Sequence, residues 1–403
     1  MDVHATLGTL LAVAVLAVVA PVFIALLPGP RIPQVVVLLV GGMAIGPQAL
    51  HLGSPDSVQI LADVGVGFLF LLAGYEVDQR LLVREPGRRA VVAWLGTVAL
   101  AVGVVGLLQL AGLVRAFVPV AIALTTTALG TLLPILRENR LLGGRLGPHL
   151  LAAGAVGELL PIIAVAVFLG ATNRFVALIS LVTVTAVAYG LTLLSRSFRI
   201  GRLRTIIEEG EHETTQITVR GTVLLLVLLL TVTEEFHLDA VLGAFLAGMV
   251  LRRWAGAGLP TLEGKLDALG YGFFIPIFFV YSGMSMDLRS MAAAPLRVLM
   301  FTALMLLVHL VPVLLVYRRV LGPRERWQTV LVTSTALPLL VAIAEIGRRN
   351  GTMLPENAAA LVGAGVLTVL VFPAVAVALG RSAPAEPQAV DGTDDVAERP
   401  APG

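Results

Sequence analysis

Long apolar runs of about twenty residues alternate along the chain with short segments that gather arginines, prolines and acidic residues. About 20 apolar residues is the length an α-helix needs to cross a hydrocarbon core about 30 Å thick. Thirteen runs stand out, at residues 6–27, 32–49, 58–78, 89–111, 116–136, 148–169, 174–194, 215–233, 238–251, 268–286, 294–317, 326–346 and 357–379. The strand-type alternation of a membrane β-barrel is absent. The pattern therefore predicts an all-α membrane protein with about 13 transmembrane helices. The first run reads as a span rather than a cleaved leader, because no Lys or Arg precedes Arg31. The longest connection, about 195–219, carries Arg199, Arg202 and Arg204 and then Glu208, Glu209, Glu211 and Glu213. His212 within it reads either as a metal ligand or as part of a solvated linker. Residues 381–403, rich in Pro, Ala, Asp and Glu, read as a disordered tail.

Composition sharpens this picture. Of 403 residues, 57% are apolar and 13% charged, against about 25% charged in soluble domains. The charges needed to cover soluble surfaces are missing, which excludes a soluble enzyme, a nucleic-acid binder and a disordered scaffold. The chain has no cysteine, so disulfides, thiolate metal sites and cysteine nucleophiles are excluded. No residue pattern calls for a cofactor. Lys265 is the sole lysine beside 27 arginines, and 22 of the 28 basic residues lie in or at the edge of connections that follow odd-numbered spans. The positive-inside rule then places the N-terminus outside the cell membrane and the C-terminus in the cytoplasm.

The chain also contains a displaced copy of itself. Thr125-Thr126-Thr127-Ala128-Leu129 returns as Thr333-Ser334-Thr335-Ala336-Leu337, Phe70…Gly74 as Phe279…Gly283, and Gly42-Met43 as Gly248-Met249, at offsets of 208, 209 and 206. The shift carries the fifth span onto the twelfth, an odd number of crossings, so the two copies run in opposite directions. Inverted repeats of this kind mark secondary transporters.

The polar groups of four spans share one depth. Thr125, Thr126 and Thr127 lie at the middle of the fifth span, Thr333, Ser334 and Thr335 at that of the twelfth, Glu158 at that of the sixth and His309 near that of the eleventh. Gly130 and Pro134 follow the first hydroxyl cluster and Pro338 the second. Hydroxyls beside helix breakers suit interrupted helices, whose freed N–H and C=O groups need local partners in hydrocarbon. Back-bonding in intact helices is the other reading. Glu158 is the one carboxylate predicted to lie deep; Asp63 and Glu345 are near span ends. An acid at mid-membrane costs on the order of 3 kcal/mol on insertion scales and usually marks an ion or proton path. In a water-lined cavity it holds H⁺ or a small cation, but not both. A buried structural acid is the alternative. His309 either pairs with Glu158, donates to an exposed carbonyl or is a packing residue; unlike Lys or Arg it sheds its charge near neutral pH.

With these residues in view, the chain resembles the monovalent cation:proton antiporter superfamily, that is, the sodium/hydrogen exchanger domain including Kef-type members, over about residues 8–380. The resemblance rests on Arg31-Ile32-Pro33 leading to Gly41-Gly42-Met43-Ala44-Ile45-Gly46-Pro47, on Phe70-Leu71-Leu72-Ala73-Gly74-Tyr75-Glu76-Val77-Asp78, on Gly154-Ala155-Val156-Gly157-Glu158-Leu159-Leu160-Pro161, and on Ser282-Gly283-Met284-Ser285-Met286-Asp287. It implies a thirteen-helix NhaA-type fold with two interrupted, crossing helices, here the fifth and twelfth spans. It implies panel and dimer spans at about 6–78 and 215–286, core spans at about 89–170 and 294–379, and a linker span at about 174–194. It further implies a homodimer and elevator-like movement of core past panel. Glu158 would take cation and proton in alternation, with Thr126, Thr127 or backbone oxygens completing the shell. The family site commonly reads Asp-Asp or Asn-Asp where this chain has Gly157-Glu158, which leans toward electroneutral exchange. His309 stands where many members have Lys or Arg. The tail lacks the G-x-G-x-x-G element of the Kef-type regulatory domain.

The expected function is thus secondary active exchange of Na⁺ or K⁺ for H⁺ within the lipid bilayer. The alternatives are a sodium-coupled organic-anion symporter of the same fold, a channel, a non-transporting membrane protein, and an intramembrane serine protease using Ser282 and His309.

Overall fold

The computed structural model describes residues 3–26, 33–77, 79–114, 116–169, 179, 182–190, 216–236, 238, 240–255, 260–286 and 295–381. Arg31, Ile32, Asp78, Asp287, the connection that carries His212, and the tail beyond Arg381 lie outside them, as does most of the seventh expected span, of which residues 182–190 are helical. Among the described residues all regular structure is helical, and nine helices are long and apolar enough to cross a membrane.

The first half contains α1 (Val3–Leu26), α2 (Gln34–Ile45), α3 (Gln59–Glu76), the short α4 (Gln79–Val83), α5 (Glu85–Leu110), α6 (Phe117–Leu124), α7 (Leu129–Glu138) and α8 (Leu146–Phe168). The second contains α9 (Ile217–Glu235), α10 (Ala240–Ala255), α11 (Pro260–Leu269), α12 (Ile275–Met284), α13 (Pro295–Val316), α14 (Pro323–Thr333), α15 (Pro338–Arg349) and α16 (Pro355–Arg381). Proline opens α11, α13, α14, α15 and α16, where its fixed φ suits the first turn and its missing N–H is not needed. A π-helical segment at Gly270–Phe274 joins α11 to α12. The fifth and twelfth expected spans are each two helices: α6 and α7 are separated at Thr125–Ala128, and α14 and α15 at Ser334–Leu337. The second expected span is shorter than its apolar run. α2 has 12 residues, about 18 Å of helix; the Gly46 N–H closes its last helical bond on Gly42, and the extended backbone of Gly46 then carries the chain away.

Burial sorts the helices. The stretch from α14 through α15 is 89% buried, whereas the first span is 17% buried and presents its apolar side chains outward, as a lipid-facing helix does. α1, α2, α3, α10 and α12 pack against one another, and α5, α8, α13, α14, α15 and α16 form a second set of neighbours. Small residues set the closest crossings. A Cβ at Gly42 of α2 would stand 2.2 Å from the Val280 carbonyl oxygen of α12, and one at Gly283 of α12 would stand 2.1 Å from that of Leu39 on α2. The α3–α10 crossing has the same reciprocity: Gly74 approaches the Phe245 carbonyl and Gly248 that of Leu71, each at 2.0 Å from an added Cβ. In hydrocarbon, backbone-to-backbone contact of this kind is the chief source of helix association.

These contacts predict the behaviour of simple variants. Gly74→Ala and Gly283→Ala will each destabilise the detergent-purified protein by about 1–3 kcal/mol, the cost of overpacking a filled site. Gly103→Ala on α5, where an added Cβ meets nothing within 4 Å, will be neutral or stabilising because alanine is the better helix former. Thermal melting of the three variants checks this, and equal melting temperatures would refute it.

Candidate functional site

The two helix interruptions meet. At the first, Thr125 and Thr126 turn their hydroxyls back onto the carbonyls of Ile122 and Ala123, each at 2.8 Å, which satisfies the frayed end of α6. Thr127 instead donates its hydroxyl to the Thr333 carbonyl at 2.7 Å, and the Ala128 N–H donates to the Thr335 carbonyl at 2.9 Å. At the second, Thr333, Ser334 and Thr335 donate to the carbonyls of Thr329, Val330 and Leu331 at 2.7–2.8 Å. Thr368 of α16 serves this break as well: its hydroxyl donates to Gly365 at 2.8 Å and accepts the Ala336 N–H at 3.3 Å. All six hydroxyl residues of the two clusters are buried. The helices are interrupted rather than intact, and within them five hydroxyls bond back onto their own helix while Thr127 joins the two breaks.

Glu158 lies against this junction. It is 6% exposed, and its carboxylate accepts the backbone N–H of Leu129, the first residue of α7. The N-terminal N–H groups of a helix have no partner within it and carry partial positive charge, so they suit an anion. Three residues beyond Glu158 stands Pro161, which has no N–H to give the carbonyl four positions back. That carbonyl belongs to Gly157, and it accepts the Thr127 N–H at 2.8 Å. A proline inside α8 thus frees the acceptor that holds the first break.

Glu76, the last residue of α3, was not among the expected site residues. Its Oε2 is buried and has no hydrogen-bond partner, and it sits 3.2 Å from where a Cβ of Gly130 would be. Glu76 and Glu158 therefore approach neighbouring residues of the first turn of α7, and their charges interact. Glu76 also lines a cavity of about 490 Å³ with Gly130, Arg137, Glu263, Asp267 and Tyr271. Glu158 is not in that lining, so of the two carboxylates Glu76 is the one that meets this cavity. At the opposite end of α3, about 20 Å away at 1.5 Å per residue, Asp63 accepts from Arg349 of α15 at 3.0 Å. Arg349 also donates to Glu345 at 2.7 Å and to the Tyr281 hydroxyl of α12 at 3.0 Å, and Arg348 donates to Glu345 at 2.8 Å. This network ties α15 to α3 and α12.

His309 of α13 is buried, and its Nδ1 donates to the Met305 carbonyl of its own helix at 2.8 Å. Glu158 interacts with Leu129, Glu76 and Tyr271. His309 Nε2 and Ser282 Oγ each lack a hydrogen-bond partner, so the Ser–His pair that a serine protease needs is not formed. Among the described residues no cluster of three metal-ligating side chains occurs.

Comparison with known proteins gives the family and the fold. Residues 12–380 match the family described as sodium/hydrogen exchanger, transmembrane. "Probable Na(+)/H(+) antiporter 3" of Methanocaldococcus jannaschii is 25% identical over 86% of this chain and 90% of its own length. Glutathione-regulated potassium-efflux system protein KefC of Salmonella schwarzengrund is 28% identical over 94% of this chain. The chain spans 61% of that KefC and 62% of a Bacillus subtilis relative that is 25% identical to it. The solved structure of the sodium proton antiporter MjNhaP1 from M. jannaschii superposes with a TM-score of 0.67 at 18% identity, covering 95% of this chain and 99% of that one, and so shares its fold. The chain is a multi-pass membrane protein and belongs to the sodium/hydrogen exchanger transmembrane family, within the monovalent cation:proton antiporter superfamily.

Proposed function

We propose that this chain is a secondary active antiporter, not an enzyme, that exchanges Na⁺ or K⁺ for H⁺ by alternating access. The observation that carries the reading is a carboxylate, Glu158, buried at the N-terminus of a half-helix where two interrupted helices touch, with a second carboxylate, Glu76, that approaches the same half-helix and lines a cavity. Glu158 holds a cation or a proton in turn. Glu76 is the preceding station, and oxygens of Thr125, Thr126, Thr127, Thr333, Ser334 and Thr335 are the candidates for the rest of the shell. The hydroxyl hydrogens are already donated to carbonyls, which leaves oxygen lone pairs for a hard cation. The charged residues of the otherwise largely apolar cavity wall are Glu76, Glu263 and Asp267 against Arg137, a balance that favours a cation over the organic anion of the symporter reading.

The arrangement supports an inverted repeat of about thirteen spans. The offsets that relate the halves map α2 onto α10 and α3 onto α12, so the α2–α12 and α10–α3 glycine crossings are images of one another. It also supports a panel of α1–α3 with α9–α12 and a core of α5–α8 with α13–α16. The cavity lies at the arginine-rich ends of the spans, which the positive-inside rule assigns to the cytoplasm of the cell membrane. The N-terminus is then outside, the C-terminus inside, and this conformation faces inward, with Asp63, Tyr281, Glu345, Arg348 and Arg349 closing the outer side. The working unit is a homodimer joined through the panel.

Glu158→Gln will abolish cation-driven proton movement in proteoliposomes carrying a pH dye while eluting as the wild type does on gel filtration; full exchange by this variant would refute the assignment. Glu76→Gln will retain exchange but raise the cation KM by about tenfold, corresponding to about 1.4 kcal/mol. An unchanged KM would remove Glu76 from the path.

A further inference from the structure

Gly157 has no room for a side chain. A Cβ there would stand 2.5 Å from Thr127 Oγ1 and 2.8 Å from Thr127 Cβ. The Cβ moves only with the backbone of the first break, and Oγ1 can turn away about χ1 only by giving up its bond to the Thr333 carbonyl. That backbone is pinned at three successive residues, twice to α8 and once to the second break. The Thr127 N–H bonds to the Gly157 carbonyl of α8, the Ala128 N–H to Thr335 in the second break, and the Leu129 N–H to Glu158. The Thr127 hydroxyl adds the bond to Thr333. Any displacement of Thr127 away from α8 is therefore passed to Leu129 and to the carboxylate it holds.

We propose that Thr127 is a positioning residue for exchange, which acts through Gly157: its side chain occupies the volume a residue-157 side chain would need, and its hydroxyl ties the two breaks so that the Leu129 N–H stays on Glu158. This inference rests on the exchange reading and adds a role to it, since Thr127 works by fixing the break rather than only by offering an oxygen to the ion. Two further features agree. Pro161 leaves the Gly157 carbonyl free for Thr127, and Gly154, one turn before Gly157, admits Leu129 so closely that a Cβ there would meet Leu129 Cδ1 at 2.7 Å. The face of α8 that carries Gly154 and Gly157 is thus shaped to seat residues 127–129. A charge-assisted hydrogen bond to the carboxylate supports its cation-binding form, so loosening the seat weakens cation binding more than turnover at saturation.

The test is a double-mutant cycle in proteoliposomes. Gly157→Ala will raise the cation KM at least tenfold with kcat changed less than about threefold. In a Thr127→Gly background, which clears both clashing atoms, the same Gly157→Ala change will cost no more than about twofold. Thr127→Ser, which keeps the hydroxyl, will stay near the wild-type KM, whereas the nearly isosteric Thr127→Val will raise it at least fivefold because the Thr333 carbonyl loses its donor. Additive effects at positions 127 and 157, or equal KM values for Thr127→Ser and Thr127→Val, overturn the proposal. If Gly157→Ala does not fold, its rescue decides: a Gly157→Ala/Thr127→Gly double variant that folds supports the proposal, and one that fails equally overturns it. If the wild type moves no protons in response to Na⁺, K⁺ or Li⁺, the exchange reading fails by itself, and the same cycle read by melting temperature still decides whether the two positions form one packing unit.

Discussion

A backbone that leaves the helix inside hydrocarbon must find a partner for each N–H and C=O it frees, at a cost of several kcal/mol for each one left unpaired. The centre of this protein is organised by that demand. The first break gives one N–H to α8, one to the second break and one to a carboxylate. The second break is completed by its own hydroxyls and by Thr368. Neither break is satisfied alone, so the two half-helix pairs and α8 hold one another in place. The acid at their meeting point follows from the same requirement, because an orphan helix N-terminus is a good seat for a negative charge.

The two ends of α3 give this junction a direction. At one end a cavity of about 490 Å³ reaches Glu76; at the other an ion-paired group of Asp63, Tyr281, Glu345, Arg348 and Arg349 joins α15 to α3 and α12. Half-exposed ion pairs contribute little stability singly. A network that spans the two packed sets of helices suits a contact that forms in one state of a transporter and breaks in another. The breaks themselves, buried and cross-bonded, suit movement as one rigid piece.

Much of this was legible in the sequence. Twelve of the thirteen apolar runs coincide with described helices, and hydroxyl clusters followed by Gly130 and Pro338 mark where two of them break. Glu158 was legible as an acid placed mid-run. Glu76 was not, although it lies inside a motif that carries the family resemblance. It ends an apolar run, where acids ordinarily face water, and only the approach of α7 from 53 residues further along the chain buries it beneath Gly130. Gly157 read as a missing carboxylate, whereas in the structure its lack of a side chain is what admits Thr127. Pro161 entered the sequence reading only as part of a motif, and the carbonyl it frees is the acceptor for a residue that no local pattern connects to it. Contacts between segments that far apart leave no trace in apolar periodicity.

The central claim is that one carboxylate serves proton and cation alternately. Because a ligand group must be deprotonated to bind a cation, binding releases its proton. Purified protein in weakly buffered detergent solution, titrated with Na⁺ or K⁺ while pH and bound cation are followed together, will release about one proton per cation bound. Saturable cation binding with no proton release would contradict the account.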